Sequence, residues 1–103
     1  MKTIAPRTLA IDSYVLDSLM VDLVGHDRRP AAFILYLALI RLVGTKTSGA
    51  FSLRDLAAAT GLSKTAVQRS IAHLKRRGLI LVRAVGPTMP PRYAVQRPWL
   101  RLK

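Results

Sequence analysis

A mainly α-helical fold with one small β-hairpin, in the α+β class, is what this 103-residue sequence predicts. Three observations carry it. Apolar residues recur at helical spacing in successive stretches from Asp12 to Arg77. The periodicity then changes: Leu79 to Val85 is a β-branched apolar run, and Arg92 to Arg97 follows it across the Pro-rich loop GPTMPP. Between the last two helical stretches stands Thr60-Gly61-Leu62, a glycine-centred turn joining a short helix to a longer one.

The first helix is expected from Asp12 to about Val24. Leu16, Leu19, Met20 and Leu23 share one face at i, i+3, i+4 and i+7. Tyr14, Val21 and Val24 lie towards the other side, so this helix is apolar around more of its girth than one core face requires. Either neighbouring segments cover it or it pairs two chains. GHDRR breaks the pattern, and Pro30 suits the first position of the next helix, which runs to about Val43 and ends before Gly44. That helix is apolar all round, as a central helix should be. After the turn-rich TKTSG, Ala50 and Phe51 form a short strand, and Ser52 caps a third helix, Leu53 to Ala59. Asp55 completes a capping box with Ser52, which gives it a structural task. Ser63 caps a fourth helix that ends at Gly78. The whole reads as one domain over residues 1–103. A loose arm covers 1–10, the N-terminal helix lies within 12–25, the core spans 30–97 and a tail covers 98–103.

Composition narrows the function. Seventeen Lys and Arg stand against five acids, for a formal net charge of +12. The acids are Asp12, Asp17, Asp22, Asp27 and Asp55, so no acid follows residue 55, whereas ten Lys or Arg do. A fourth helix carrying Lys64, Arg69, His73, Lys75, Arg76 and Arg77 without one acid forgoes every i,i+4 ion pair. Such self-repulsion points to a polyanionic partner, nucleic acid first. With no cysteine, disulfides and thiolate metal sites are excluded. No signal peptide is evident at the start, and the apolar run AAFILYLALI is far shorter than the roughly 20 residues of a membrane span, so the chain reads as cytoplasmic, with no membrane partner. Without a Glu, a paired-carboxylate spacing, a Gly-rich phosphate loop or a zinc pattern, no enzyme, metal or cofactor is expected. His26 and Asp27 read as a solvated turn, and His73 as a surface or phosphate-side residue.

Short helix, glycine turn, longer helix is the arrangement of a helix-turn-helix, and its packing demands are met here. Ala57 is small where the helices cross, Gly61 permits a positive φ, Leu62 plugs the turn, and Val67, Ile71 and Leu74 form the buried stripe of the second helix. The stretch LRDLAAATGLSKTAVQRSIAHLKRRGLI, Leu53 to Ile80, resembles the winged helix-turn-helix superfamily of bacterial DNA-binding proteins. It is similar to MarR-type regulators and to the N-terminal domains of plasmid and primosomal replication proteins, over about residues 30–97. The resemblance implies a three-helix core plus wing with an extra N-terminal helix, in which the fourth helix is the recognition helix and the hairpin the wing. No separate effector-binding domain and no small-molecule ligand are expected from this sequence.

The residues agree with that implication. The side of the fourth helix facing away from Val67, Ile71 and Leu74 carries Thr65, Gln68, Arg69, Ala72 and Arg76, flanked by Lys64 and Lys75. Gln68 suits adenine, Arg69 suits guanine, and Ala72 or the Thr65 methyl suits a thymine methyl. These four are therefore candidate base readers, with a solvated surface as the plainer alternative for Gln68 and Arg69. Ser63, Lys64, Lys75, Arg76 and Arg54 are candidate backbone contacts, with Arg28, Arg29 and Lys46 secondary. Arg83 and Arg92 flank the wing loop and suit the backbone or minor groove. The expected partner is double-stranded DNA, bound by a homodimer through Tyr14, Val21 and Val24, with transcription regulation as the first reading. A plasmid or phage replication or partition protein, and a winged helix that binds a protein partner, are the alternatives.

Overall fold

The computed structural model describes residues 8–101. The arm expected over 1–10 thus lies mostly outside them, Lys2 and Arg7 included, as do the last two residues of the tail. An N-terminal helix, α1 (residues 13–26), leads into α2 (Pro30–Val43). Strand β1 (Gly49–Ala50) precedes α3 (Leu53–Thr60) and α4 (Lys64–Arg76). The hairpin of β2 (Ile80–Arg83) and β3 (Arg92–Val95) follows, then a 3₁₀ turn at Pro98–Arg101. The sheet is antiparallel in the order β1-β3-β2, with Gly49 opposite Tyr93 and Val82 opposite Tyr93 on its other side. This is a winged helix-turn-helix of the α+β class with an added N-terminal helix. The strands are shorter than the apolar runs that announced them, because only Ile80–Arg83 and Arg92–Val95 come into register.

Helix α2 is the centre of the molecule. Ala32, Leu35, Tyr36 and Leu39 are completely buried, and α1, α3, α4 and β3 all pack on it. Tyr36 spends its one polar atom well: its hydroxyl donates to the Gln96 carbonyl at 2.7 Å, tying the helix to the end of the sheet. Burial pushes the Tyr36 hydroxyl up to about 12 and raises Tyr93 in the same direction.

Helix α1 departs from expectation. Its stretches Val15–Leu19 and Val21–His26 are π-helical, with the Met20 N–H bonded to the Val15 carbonyl and the Asp27 N–H to that of Asp22. The wider winding changes which residues face the core. Val15, Leu19 and Leu23 are buried and Ile11 packs beside them, a strict four-residue repeat. Leu16 and Met20, assigned to the core by 3.6-residue periodicity, are 48% and 38% exposed.

Candidate nucleic-acid interface

The helix-turn-helix is built by local hydrogen bonds as much as by packing. Ser52 Oγ accepts the Asp55 N–H at 3.0 Å while Asp55 Oδ2 accepts the Ser52 N–H at 2.9 Å, the reciprocal cap the sequence foretold. At the other end of α3, Thr60 Oγ1 donates to the Leu56 carbonyl at 2.7 Å and accepts the Leu62 N–H at 3.1 Å. Gly61 sits between them at φ +80°, a conformation that disfavours side chains. Thr60 therefore sets the turn together with Gly61, a role the sequence reading did not give it. Ser63 Oγ accepts the Ala66 N–H at 3.1 Å to start α4, leaving the hydroxyl hydrogen available to an outside acceptor. Leu56, Val67 and Leu74 are fully buried beneath, with Ala57, Leu62 and Ile71 half-buried around them.

That packing turns one side of α4 outward. Thr65, Gln68, Arg69 and Ala72 are all exposed, as are Ser63, Lys64, Lys75 and Arg76. Arg54 is exposed at the start of α3. Among the described residues, Arg54, Lys64, Arg69 and Lys75 have no carboxylate partner.

The C-terminal end of α4 differs from expectation. His73 is not a surface residue, and Asp27 is not simply solvated. His73 Nε2 donates to Asp27 Oδ2 at 2.7 Å, with the two side chains only 13% and 19% exposed. Arg77 Nε reaches the same oxygen at 3.1 Å, and its Nη2 lies 3.9 Å from Asp22 Oδ2. Arg76 Nη2 donates to His73 Nδ1 at 3.3 Å, which makes Nδ1 the acceptor and places the imidazole proton on Nε2. The acids that α4 lacks in its own sequence are thus supplied, for these two residues, by the α1–α2 junction. The His73 hydrogen bond first, opposed by a partial desolvation, and then the Arg77 charge hold the Asp27 carboxyl below the ordinary value of 3.8. Asp27 therefore contributes stability above pH 3.8 that is lost as pH falls through its lowered folded value. Asp27→Asn is expected to cost about 1 kcal/mol at pH 7, a partly screened charge-assisted bond, and to shrink the loss of stability on acidification. Paired thermal melts at pH 7 and pH 3 check this.

In the hairpin, Arg83 and Arg92 stand opposite each other in register. Arg92 is tied back: its Nε donates to Ser48 Oγ at 3.0 Å and its Nη2 to the Ser48 carbonyl at 3.3 Å. Arg83 makes no such bond among the described residues. The loop between them exposes apolar side chains, with Val85 52% and Met89 60% accessible.

A helix-turn-helix domain family matches residues 29–80. The chain belongs to that family. Comparison with curated proteins gives no significant match, and neither does comparison with solved structures. The helix-turn-helix match takes in α2, β1, α3 and α4 and stops where β2 begins, so α1 and most of the wing lie outside it. In this helix-turn-helix protein α1 is held by the tail: Trp99 stacks on Tyr14 with ring centroids 4.7 Å apart and donates through Nε1 to Asp12 Oδ2 at 3.2 Å. Tyr14 is thereby partly covered from within the chain, while Val21 and Val24 stay 51% and 40% exposed. No group of His, Asp or Glu among the described residues is arranged to hold a metal ion, and no helix among them is long and apolar enough to cross a membrane.

Proposed function

We propose that this chain binds double-stranded DNA sequence-specifically as a small transcriptional regulator, with α4 in the major groove and the hairpin on the backbone or in the minor groove. The supporting observation is the unneutralised outward side of α4. Five exposed polar or basic residues, Ser63, Lys64, Gln68, Arg69 and Lys75, surround Thr65 and Ala72 without one acid, while the acids of the N-terminal segment engage the buried side. Thr65, Gln68, Arg69 and Ala72 read base edges in this reading. Lys64, Lys75, Arg76, Arg54 and Arg83 hold phosphates. Arg92 contributes as a brace that fixes the wing against Ser48.

The chain acts as a homodimer in this reading. Leu16, Met20, Val21 and Val24 of α1 form an exposed apolar surface outside the helix-turn-helix, which a second copy would cover. Two recognition helices would then enter successive major grooves about 34 Å apart. Selection of duplexes from a random pool tests this together with sedimentation of the complex. An enriched inverted repeat bound by two chains supports the regulator. Enriched direct repeats would move the function to replication or partition, and no enrichment would remove sequence specificity.

A further inference from the structure

Beside the outward face of α4, where Arg28, Arg29 and the start of α2 meet it, lies a cleft of about 230 Å³. Arg28, Arg29 and Arg69 line it, and none of them has a carboxylate or other acceptor among the described residues. The start of α2 opens into the same space. Arg29 occupies its N-cap without a side-chain cap, its own N–H returns to the Leu23 carbonyl and Pro30 has none, so the Ala31 N–H is the donor this helix start leaves without a partner among the described residues. Ser70 supplies an independent sign. It lines the cleft and is only 3% exposed, yet its hydroxyl makes no hydrogen bond to any described residue. Buried hydroxyls are ordinarily paired. Among the described residues no buried side-chain oxygen or nitrogen is both unpaired and fully sealed from solvent, so the Ser70 hydroxyl keeps its access through the cleft it lines.

What this cleft offers is donors: guanidinium groups, one hydroxyl and the Ala31 N–H. The charge disfavours a cation, and a carboxylate, with about four acceptor sites, answers fewer of these donors than a tetrahedral oxyanion does. Arg28 adds a second argument. It adopts φ +55°, a left-handed conformation that glycine takes freely and arginine does not. The backbone there favours glycine, yet the position carries an arginine that lines the cleft.

We propose that this cleft seats a phosphate group, and that in the complex with DNA it holds one backbone phosphate beside α4. The inference rests on the DNA reading above and deepens it. It assigns Arg69 to the backbone in place of a base and makes Arg28, Arg29 and Ser70 its partners. One seated phosphate would fix how far α4 enters the groove, and so which base pairs Thr65, Gln68 and Ala72 reach.

The test uses the full chain, a panel of duplexes and a series of salt concentrations. Arg28→Gly is expected to keep or raise the melting temperature, because glycine suits the backbone. It should nevertheless weaken every duplex alike and flatten the slope of log K against log salt by about 0.9. Ser70→Ala, which leaves the packing nearly unchanged, is expected to weaken binding several-fold in the same uniform way. Arg69→Ala should do likewise, and a loss confined to one base pair would return that residue to base reading and overturn the seat. Arg28→Gly binding duplexes with the wild-type slope would overturn it too. A separate titration of the DNA-free protein with inorganic phosphate, read by amide shifts at Ala31 and Ser70, distinguishes the source. Saturation at micromolar phosphate, with duplex affinity unmoved by Arg28→Gly, would make the ligand a free phosphate ester and overturn the backbone assignment. If the wild type binds no duplex at all, the DNA reading itself fails; if it binds and the variants match it, only the seat fails.

Discussion

Affinity for duplex DNA is expected to fall about a thousandfold between 50 and 200 mM salt, the response of a protein that neutralises six or more phosphates. The contributing cations can be named: Arg54, Lys64, Lys75, Arg76 and Arg83, joined by Arg28, Arg29 and Arg69 at the cleft. They count because none of them has a carboxylate partner among the described residues. Arg77 and Arg97 are excluded from this tally, since Asp27 lies 3.1 Å from the first and Asp12 3.6 Å from the second. Fluorescence anisotropy of a labelled duplex across salt concentrations gives the slope directly. A slope of one or two would mean that the basic face meets something other than a DNA backbone.

Leu23→Ala is expected to destabilise the fold by about 2–5 kcal/mol, the usual cost of hollowing a core at a fully buried leucine. Against a total of about 5–15 kcal/mol, and at roughly 4–8 °C per kcal/mol for a chain of this size, the melting temperature should drop by at least 8 °C. Leu23 belongs to α1, outside the family match, so the effect reports whether the added helix is part of the same core as the helix-turn-helix. Leu16→Ala serves as the contrast. Its side chain is 48% exposed, and its removal should cost less than about 1 kcal/mol. Equal costs at the two positions would contradict the π-helical winding, which is what separates them.

The helix-turn-helix was legible because its signals are local. Ser52 and Asp55 form a cap three residues apart, Gly61 needs only its own φ, and Val67 and Leu74 sit on a regular helix where 3.6-residue spacing holds. Helix α1 misled for the same reason. Its repeat at Ile11, Val15, Leu19 and Leu23 is visible in the sequence, but a ruler set to 3.6 residues per turn passes over a spacing of four. The partners of His73 and Arg77 were out of reach: Asp27 lies 46 residues before His73, and no local pattern joins them. Tyr14 and Trp99, 4.7 Å apart across the fold, were hidden likewise. The cleft at Arg28 needed backbone angles and burial to be noticed. A positive φ at an arginine and an unpaired hydroxyl at Ser70 leave no trace in composition.

Base reading by α4 is put to the test by Gln68→Ala. The wild type and the variant are compared on one selected duplex and on each of its single base-pair substitutions. The expected result is a loss of about 1–3 kcal/mol on the selected duplex, with discrimination abolished at one base pair and kept at the others. Equal weakening on every duplex, or no change on any, would contradict it.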